Sequence, residues 1–157
     1  MTKTELTKEN HLMTTSSASG VSADAQSFNW LVSRFAEETA GIIGAIAVSS
    51  DGLLIASSPA LQRASADRLS AISSAMLSLA VGASECHPLG QPDKVVIEMT
   101  DGYLLVCTIS VGCSLGVLAY KHASLGTIAY EMALFANRAS SVLSPMLIQE
   151  LQHTLGH

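Results

Sequence analysis

The sequence predicts an α+β domain in the order α-β-β-α-β-β-β-α, built on a five-stranded antiparallel sheet. Three observations carry this. Apolar residues recur at helical spacing in three separate stretches. Between them lie short, β-branched runs too brief for helices. Asp-Gly pairs at 51–52 and 101–102 join neighbouring runs so tightly that the strands must be antiparallel, because parallel neighbours need a crossover of about a dozen residues.

Taken in order, residues 1–23 read as a disordered tail, polar, rich in Ser and Thr and without periodicity. Asp24 is a plausible N-cap, and Phe28, Leu31, Val32 and Phe35 mark one helical stripe up to about Glu38. Ile42 to Ser49 reads as a strand with two apolar faces, Asp51-Gly52 as a hairpin turn, and Leu53 to Ser57 as the returning strand. A long helix then runs from about Gln62 to Cys86, stopped by Pro88, Gly90 and Pro92. Lys94 to Thr100, Tyr103 to Ile109 and Ser114 to Tyr120 complete the sheet. From Ser124 the 3.6-residue period returns through Ile128, Met132, Phe135, Ala139 and Val142, and Pro145 ends or kinks that helix, with a short helical tail beyond it. The domain is expected over residues 24–150, with 151–157 as a C-terminal tail. The terminal helices are expected on one face of the sheet, leaving the central helix free to pair elsewhere.

The central helix has an unusual composition. From Ala64 to Ser84, 13 of 21 residues are Ala, Ser or Gly, and only Asp67 and Arg68 are charged. A helix on a domain surface normally shows water a charged face. Here an apolar stripe (Leu69, Ile72, Met76, Leu79, Ala80, Ala83) is expected to face the sheet. The opposite face (Ser70, Ser74, Leu77, Ser78, Val81) is nearly uncharged and small enough for another helix to approach, which points to assembly.

Composition excludes several function classes. The chain of 157 residues carries a net charge of −5, and its eight Lys and Arg residues are scattered, so a phosphate backbone has nothing concentrated to bind. No apolar run reaches the roughly 18–20 residues of a membrane span, and the polar N-terminus lacks the hydrophobic segment of a signal peptide. A cytoplasmic location is expected. Cys86, Cys107 and Cys113 have no C-x-x-C spacing and read as small hydrophobes in a reducing compartment. Cys86-His87 lacks the second ligand pair that zinc requires. Neither a G-x-x-x-x-G-K-[ST] phosphate loop nor a G-x-S-x-G elbow occurs. His11, His87, His122, His153 and His157 fall in tail, loops or C-terminus, away from any evident nucleophile. No enzyme, cofactor or metal is expected, and both Asp-Gly pairs read as turn chemistry.

With these residues in this order, the chain resembles the Roadblock/LC7 family, whose fold is profilin-like. The matching pieces are Asn29-Trp30-Leu31, Val48-Ser49-Ser50-Asp51-Gly52-Leu53-Leu54, Asp67-Arg68-Leu69-Ser70-Ala71-Ile72, Val96-Ile97-Glu98-Met99, Gly102-Tyr103-Leu104 and Leu125 to Met132. They look most like the actinobacterial branch encoded beside a sensor-like histidine kinase and a small Ras-like GTPase, the conservon arrangement. The resemblance implies a homodimer that joins two sheets edge to edge with the central helices paired, and a platform that receives a Ras-like GTPase. It also implies a regulatory adaptor, with a GTPase-activating or scaffold role, in a signalling complex; the histidine kinase is a further partner.

On that basis Ser70, Ser74, Leu77, Ser78 and Val81, together with Val96 and Glu98 of the third strand, are expected at the dimer seam. The apolar third strand, if it is an edge, invites pairing with a second copy. Arg68 and Ser74 are expected at the rim that meets the GTPase. An arginine finger from Arg68 has little support in the family. The rival reading is a small-molecule sensor of profilin-like or PAS-like architecture, which needs a cavity lined by Trp30, Phe35 or Phe135 in place of a filled core.

Overall fold

The computed structural model describes residues 20–157, so the expected N-terminal tail lies almost wholly outside the described residues. The elements are α1 (Ala23–Glu38), β1 (Ile42–Ser49), β2 (Leu54–Ser57), α2 (Arg63–Ser84), β3 (Lys94–Met99), β4 (Gly102–Ser110), β5 (Cys113–Tyr120), α3 (Leu125–Ser140) and α4 (Pro145–Thr154). The five strands form one sheet in the order β2-β1-β5-β4-β3, with every neighbouring pair antiparallel. The α+β fold class read from the sequence is the observed one.

Helix ends follow local chemistry, with one shift. The N-cap of α1 is Ser22 rather than Asp24; its hydroxyl accepts from the Ala25 N–H, and Asp24 sits in the first turn, where a negative charge suits the helix dipole. Ser124 and Ser144 cap α3 and α4 in the same way, and Pro145 occupies the first turn of α4, where its missing N–H costs nothing.

The two Asp-Gly pairs turn out to need glycine for different reasons. Gly52 has a φ of 81°, the left-handed conformation that its hairpin requires. Gly102 is not in that region. A Cβ there would lie 2.5 Å from the Ala119 carbonyl oxygen, so glycine is needed for the close approach of β4 to β5.

The main core lies between the sheet and α1, α3 and α4, with Phe28, Val32, Leu105, Leu115, Ile128, Met132 and Leu151 fully or almost fully buried. Phe135 stands edge-on to both Phe28 and Phe35, at centroid distances of 6.4 and 5.4 Å. These rings fill the space that an internal ligand would need. Two smaller clusters lie under α2 on the opposite face, one around Ile46, Val48 and Leu54, the other around Met76, Leu104 and Val106. The terminal helices therefore share one face, as expected, and α2 covers part of the other.

The domain end expected at residue 150 falls within the last helix. The last helix, α4, continues to Thr154 and buries Leu147 and Leu151 in the main core. Leu155 packs on the α2 side, against the Ile46 cluster. The chain therefore crosses from one face of the sheet to the other beside β2, and Gln152 Nε2 donates to Asp51 Oδ1 at 3.2 Å as it does so. At the other side of the sheet β3 has a neighbour on one side only.

Candidate interaction surface

The surface is built from α2 and the free edge β3. Helix α2 lies on the sheet by its small residues. Ala66, Ser70 and Ser73 are fully buried and Met76 nearly so. A Cβ on Gly116 of β5 would lie 2.9 Å from Ser73 Oγ, so the helix sits close only because both residues are small. Ser70 Oγ donates to the Ala66 carbonyl at 2.8 Å, which settles its buried hydroxyl within the helix. Ser73 Oγ is buried without a hydrogen-bond partner.

This contact turns α2 by about one residue step from the expected orientation, on the order of 100° of helical rotation. Of the stripe expected to face the sheet, Leu69 and Met76 do so, whereas Ile72 is 43 % exposed, Leu79 is 76 % exposed and Ala83 is exposed. Of the five α2 residues expected at the seam, Ser70 is fully covered by its own chain and cannot reach a mate. Leu77 and Val81 are half-buried, Leu77 packing beside Met76 and Leu104. Ser74 is half-buried with its hydroxyl 3.4 Å from the Ser50 carbonyl, and Ser78 is exposed, donating to the Ser74 carbonyl at 3.0 Å. The face open to a partner is therefore Arg68, Ala71, Ile72, Ala75 and Leu79, with Ser78 at its border.

On β3, Val95 turns inward toward the Met76 cluster, and Ile97 and Met99 follow it on the α2 face, 39 % and 44 % exposed. Val96 is 41 % exposed on the other face. Glu98 shares that face and pairs with Lys121, whose ammonium also bonds the Met99 carbonyl at 3.2 Å and lies 4.7 Å from the Tyr103 ring centroid. The Glu98 contact holds the lysine pKa above its ordinary value. Both expected β3 residues thus lie on an open edge. Arg68 is exposed, with no ion pair among the described residues.

Between the second half of α2 and the β1–β2 and β4–β5 turns lies a shallow hollow of about 190 Å³, lined by Ser49, Ser74, Leu77, Thr108 and Ser114 among others. A larger groove of about 750 Å³ opens on the opposite side of the molecule, between α1 and α3. Phe35 and Phe135 form its floor and Trp30 its wall, so the three aromatic residues named for a ligand cavity do line one, but on the outer surface and over a filled core.

The chemistry of the described residues is sparse. Among the described residues no group of three or more His, Cys, Asp or Glu side chains could hold a metal ion, and no helix is long and apolar enough to cross a membrane. Cys107 and Cys113 are buried beneath the terminal helices, and burial pushes their thiols up to about 11 and about 12, away from reactive thiolate. His122 stacks on Tyr120 at 5.4 Å, with no nucleophile in the contact.

Comparison with known proteins agrees with this architecture. The Roadblock/LC7 domain family model matches residues 28–119. Among solved structures, a Roadblock/LC7 domain from Streptomyces avermitilis is 31 % identical, with 70 % of this chain and 92 % of that one covered and a TM-score of 0.67. MglB from Myxococcus xanthus shares the fold at 15 % identity, over 74 % of this chain and 94 % of that one, with a TM-score of 0.68. The gliding protein MglB from Thermus thermophilus does so at 17 % identity, over 82 % and 93 %, with a TM-score of 0.64. No curated protein matches the chain. By its sequence, element order and sheet topology, the chain belongs to the Roadblock/LC7 family.

Proposed function

We propose that this protein is a non-catalytic regulatory adaptor that acts as a homodimer in the cytoplasm and presents a composite surface to a small Ras-like GTPase. The observation that carries the reading is that the open β3 edge and the outer face of α2, charged only at Arg68, lie on one side of the sheet. Ile97, Met99, Ile72 and Leu79 are all large, apolar and exposed on the same side of the sheet. A monomer gains nothing from showing this surface to water, whereas a twofold mate would cover it. Edge pairing of two β3 strands would supply backbone hydrogen bonds and set the register, while α2 against α2 would bury Ile72 and Leu79.

The seam in this reading takes the Ile72 and Leu79 face of α2 together with Val96 and Glu98. Leu77, Val81 and Ser78 border it, and Arg68 and Ser74 remain at the rim for the GTPase. The GTPase assignment, with an activating or scaffold role, rests on family resemblance. The 31 % identity to the Streptomyces domain supports the actinobacterial branch, and a sensor-like histidine kinase as a further partner rests on the resemblance alone.

Light scattering tests the dimer. A single mass near twice 16.4 kDa at micromolar concentration is expected, and a monomer would sink the reading. Partner binding is tested by pull-down of Ras-like GTPases from a conservon-type gene neighbourhood, with nucleotide hydrolysis followed in the presence of the dimer. A second reading, as a small-molecule sensor, is favoured only by the Trp30 groove. A ligand-induced thermal shift without GTPase binding would support it.

A further inference from the structure

We propose that the groove between α1 and α3 binds a small zwitterion whose ammonium and carboxylate stand at opposite ends of an aromatic body. This does not rest on the adaptor reading, since the groove lies across the sheet from α2. In the second reading, such a zwitterion is the molecule sensed.

The course of the two helices gives the groove distinct ends. Gly41, just after α1, lies against Ala123, just before α3, while Phe28 early in α1 meets Phe135 late in α3. The helices are therefore antiparallel. Thr39 and Thr127 stand at the Gly41 end, and Arg138 stands beyond Phe135, toward Trp30. What Phe35 and Phe135 leave open is the floor, and a volume of about 750 Å³ suits a small organic molecule.

Four charged side chains line this groove, and they are not equivalent. Arg34 pairs with Glu38 at 2.6 Å and lies 4.8 Å from the Trp30 ring centroid, so both partners are committed. Among the described residues neither Glu131 nor Arg138 has an ion-pair partner. They are the only charged residues of α3 and both line the groove, whereas its exposed positions Gly126, Tyr130, Ala133 and Asn137 carry no charge. Charge needed only for solubility would sit at those exposed positions. Seven positions separate Glu131 from Arg138, which places them nearly in line and about 10 Å apart along the helix. Both side chains lean toward the helix N-terminus, so that spacing is kept.

A hydroxyl is also left over at the Gly41 end. Thr39 is only 7 % exposed; its N–H donates to the Phe35 carbonyl at 3.1 Å, and its carbonyl accepts from the Ile42 N–H at 3.5 Å. The hydroxyl has no partner among the described residues, and unlike that of Ser73 it is not sealed in, because Thr39 lines the groove. Hydroxyls this deeply placed are normally bonded, so this one points to a polar atom held in the groove.

Each leftover group specifies part of the ligand. Glu131 and the Thr39 hydroxyl accept from an ammonium, and Arg138 holds a carboxylate through two parallel N–H donors. Between them an aromatic body covers Phe35 and Phe135 and lies beside the exposed indole. A nucleoside triphosphate fits poorly, because it brings several negative charges to a groove with one free cation and one free carboxylate. A neutral aromatic molecule would leave both charges and the hydroxyl unused.

Trp30 is the only tryptophan and is 54 % exposed, so its single indole N–H resonance reports on the groove. The probe is aminomethyl-biphenyl carboxylate, with amine and acid on the two outer para positions, compared with its analogues lacking the amine or the acid. Titration of the full chain should move the resonance saturably. Each analogue should bind about tenfold more weakly, the effect of losing one charged hydrogen bond. Glu131→Gln should abolish only the preference over the amine-free analogue, and Arg138→Gln only the preference over the acid-free one, with strand resonances verifying that both variants are folded. No saturable shift, equal affinity for all three molecules, or preferences that survive both substitutions overturn the proposal. In that event a thermal shift from another compound would still uphold a sensor, but not this ligand class.

Discussion

Arg63, the first residue of α2, donates a 2.7 Å hydrogen bond from Nη2 to the carbonyl of Leu155, 92 positions away at the end of α4. The same guanidinium holds Asp67 through Nε at 3.0 Å, one turn further along α2. One side chain therefore fastens the chain's C-terminal turn to the start of the helix on the far face of the sheet. Arg63→Ala should cost about 1 kcal/mol, because the lost bond is partly exposed and a surface ion pair adds little. Hydrogen exchange should locate the effect, with faster exchange in 151–157 and little change in the strands.

The contact of Ser73 with Gly116 makes a paired prediction. Gly116→Ala would push a methyl to 2.9 Å from Ser73 Oγ and 3.0 Å from Ile46 Cγ1, and should destabilise the fold by about 1–3 kcal/mol. Ser73→Ala removes a buried hydroxyl that has no partner, so it should leave stability unchanged or raise it. Combined, the second change should recover part of the first, as read by denaturant midpoints.

Two leucines two residues apart separate folding from assembly. Leu79 points into solvent, so Leu79→Arg should leave the melting temperature of a dilute sample almost unchanged while weakening self-association. Leu77 is half-buried beside Met76 and Leu104, so Leu77→Arg should lower stability first. Light scattering and thermal melts on both variants distinguish these outcomes. A dimer that tolerates Leu79→Arg would move the seam away from this face.

The three cysteines should differ sharply in reactivity. Cys86 is exposed and should react with a thiol reagent in the native protein, while Cys107 and Cys113 should react only after unfolding. Their stability effect has a definite sign. The folded pKa values, about 11 and about 12, lie above the ordinary 9.0, so the folded state favours the neutral thiol. That contribution is fully present below pH 9 and is lost as pH rises from 9 through 12. Denaturant midpoints across this range, compared with a Cys107→Ala and Cys113→Ala double variant, check the slope.

Much of the fold was legible because its signals are local. Stretches such as Ile42 to Ser49 and Lys94 to Thr100 declare strands, and Asp-Gly turns restrict how they can connect. The orientation of α2 was not legible, for a physical reason. Assigning the largest side chains to the inside presumes that packing volume decides which face is buried. Here Gly116 removes the obstacle on the sheet, and Ser73 moves in against it. That match between one residue on β5 and one on α2 exists only after folding. The groove was invisible for a similar reason: Trp30, Phe35 and Phe135 were identifiable as aromatic, but not as wall and floor of one surface feature.

The sheet has two lateral edges, and α4 crosses beside one of them. Strand β2 is attended by Gln152, Leu151 and Leu155, while β3 stands open. Where α4 keeps β2 from pairing, the molecule has a valence of one at its sheet edges. Two copies joined through β3 exhaust both open edges, and a third finds none. Edge addition in this protein would terminate at a pair, whereas a sheet open on both sides could grow without limit into a fibre. The ten residues of α4 would thus act on assembly without touching a partner, by closing the edge where growth could continue.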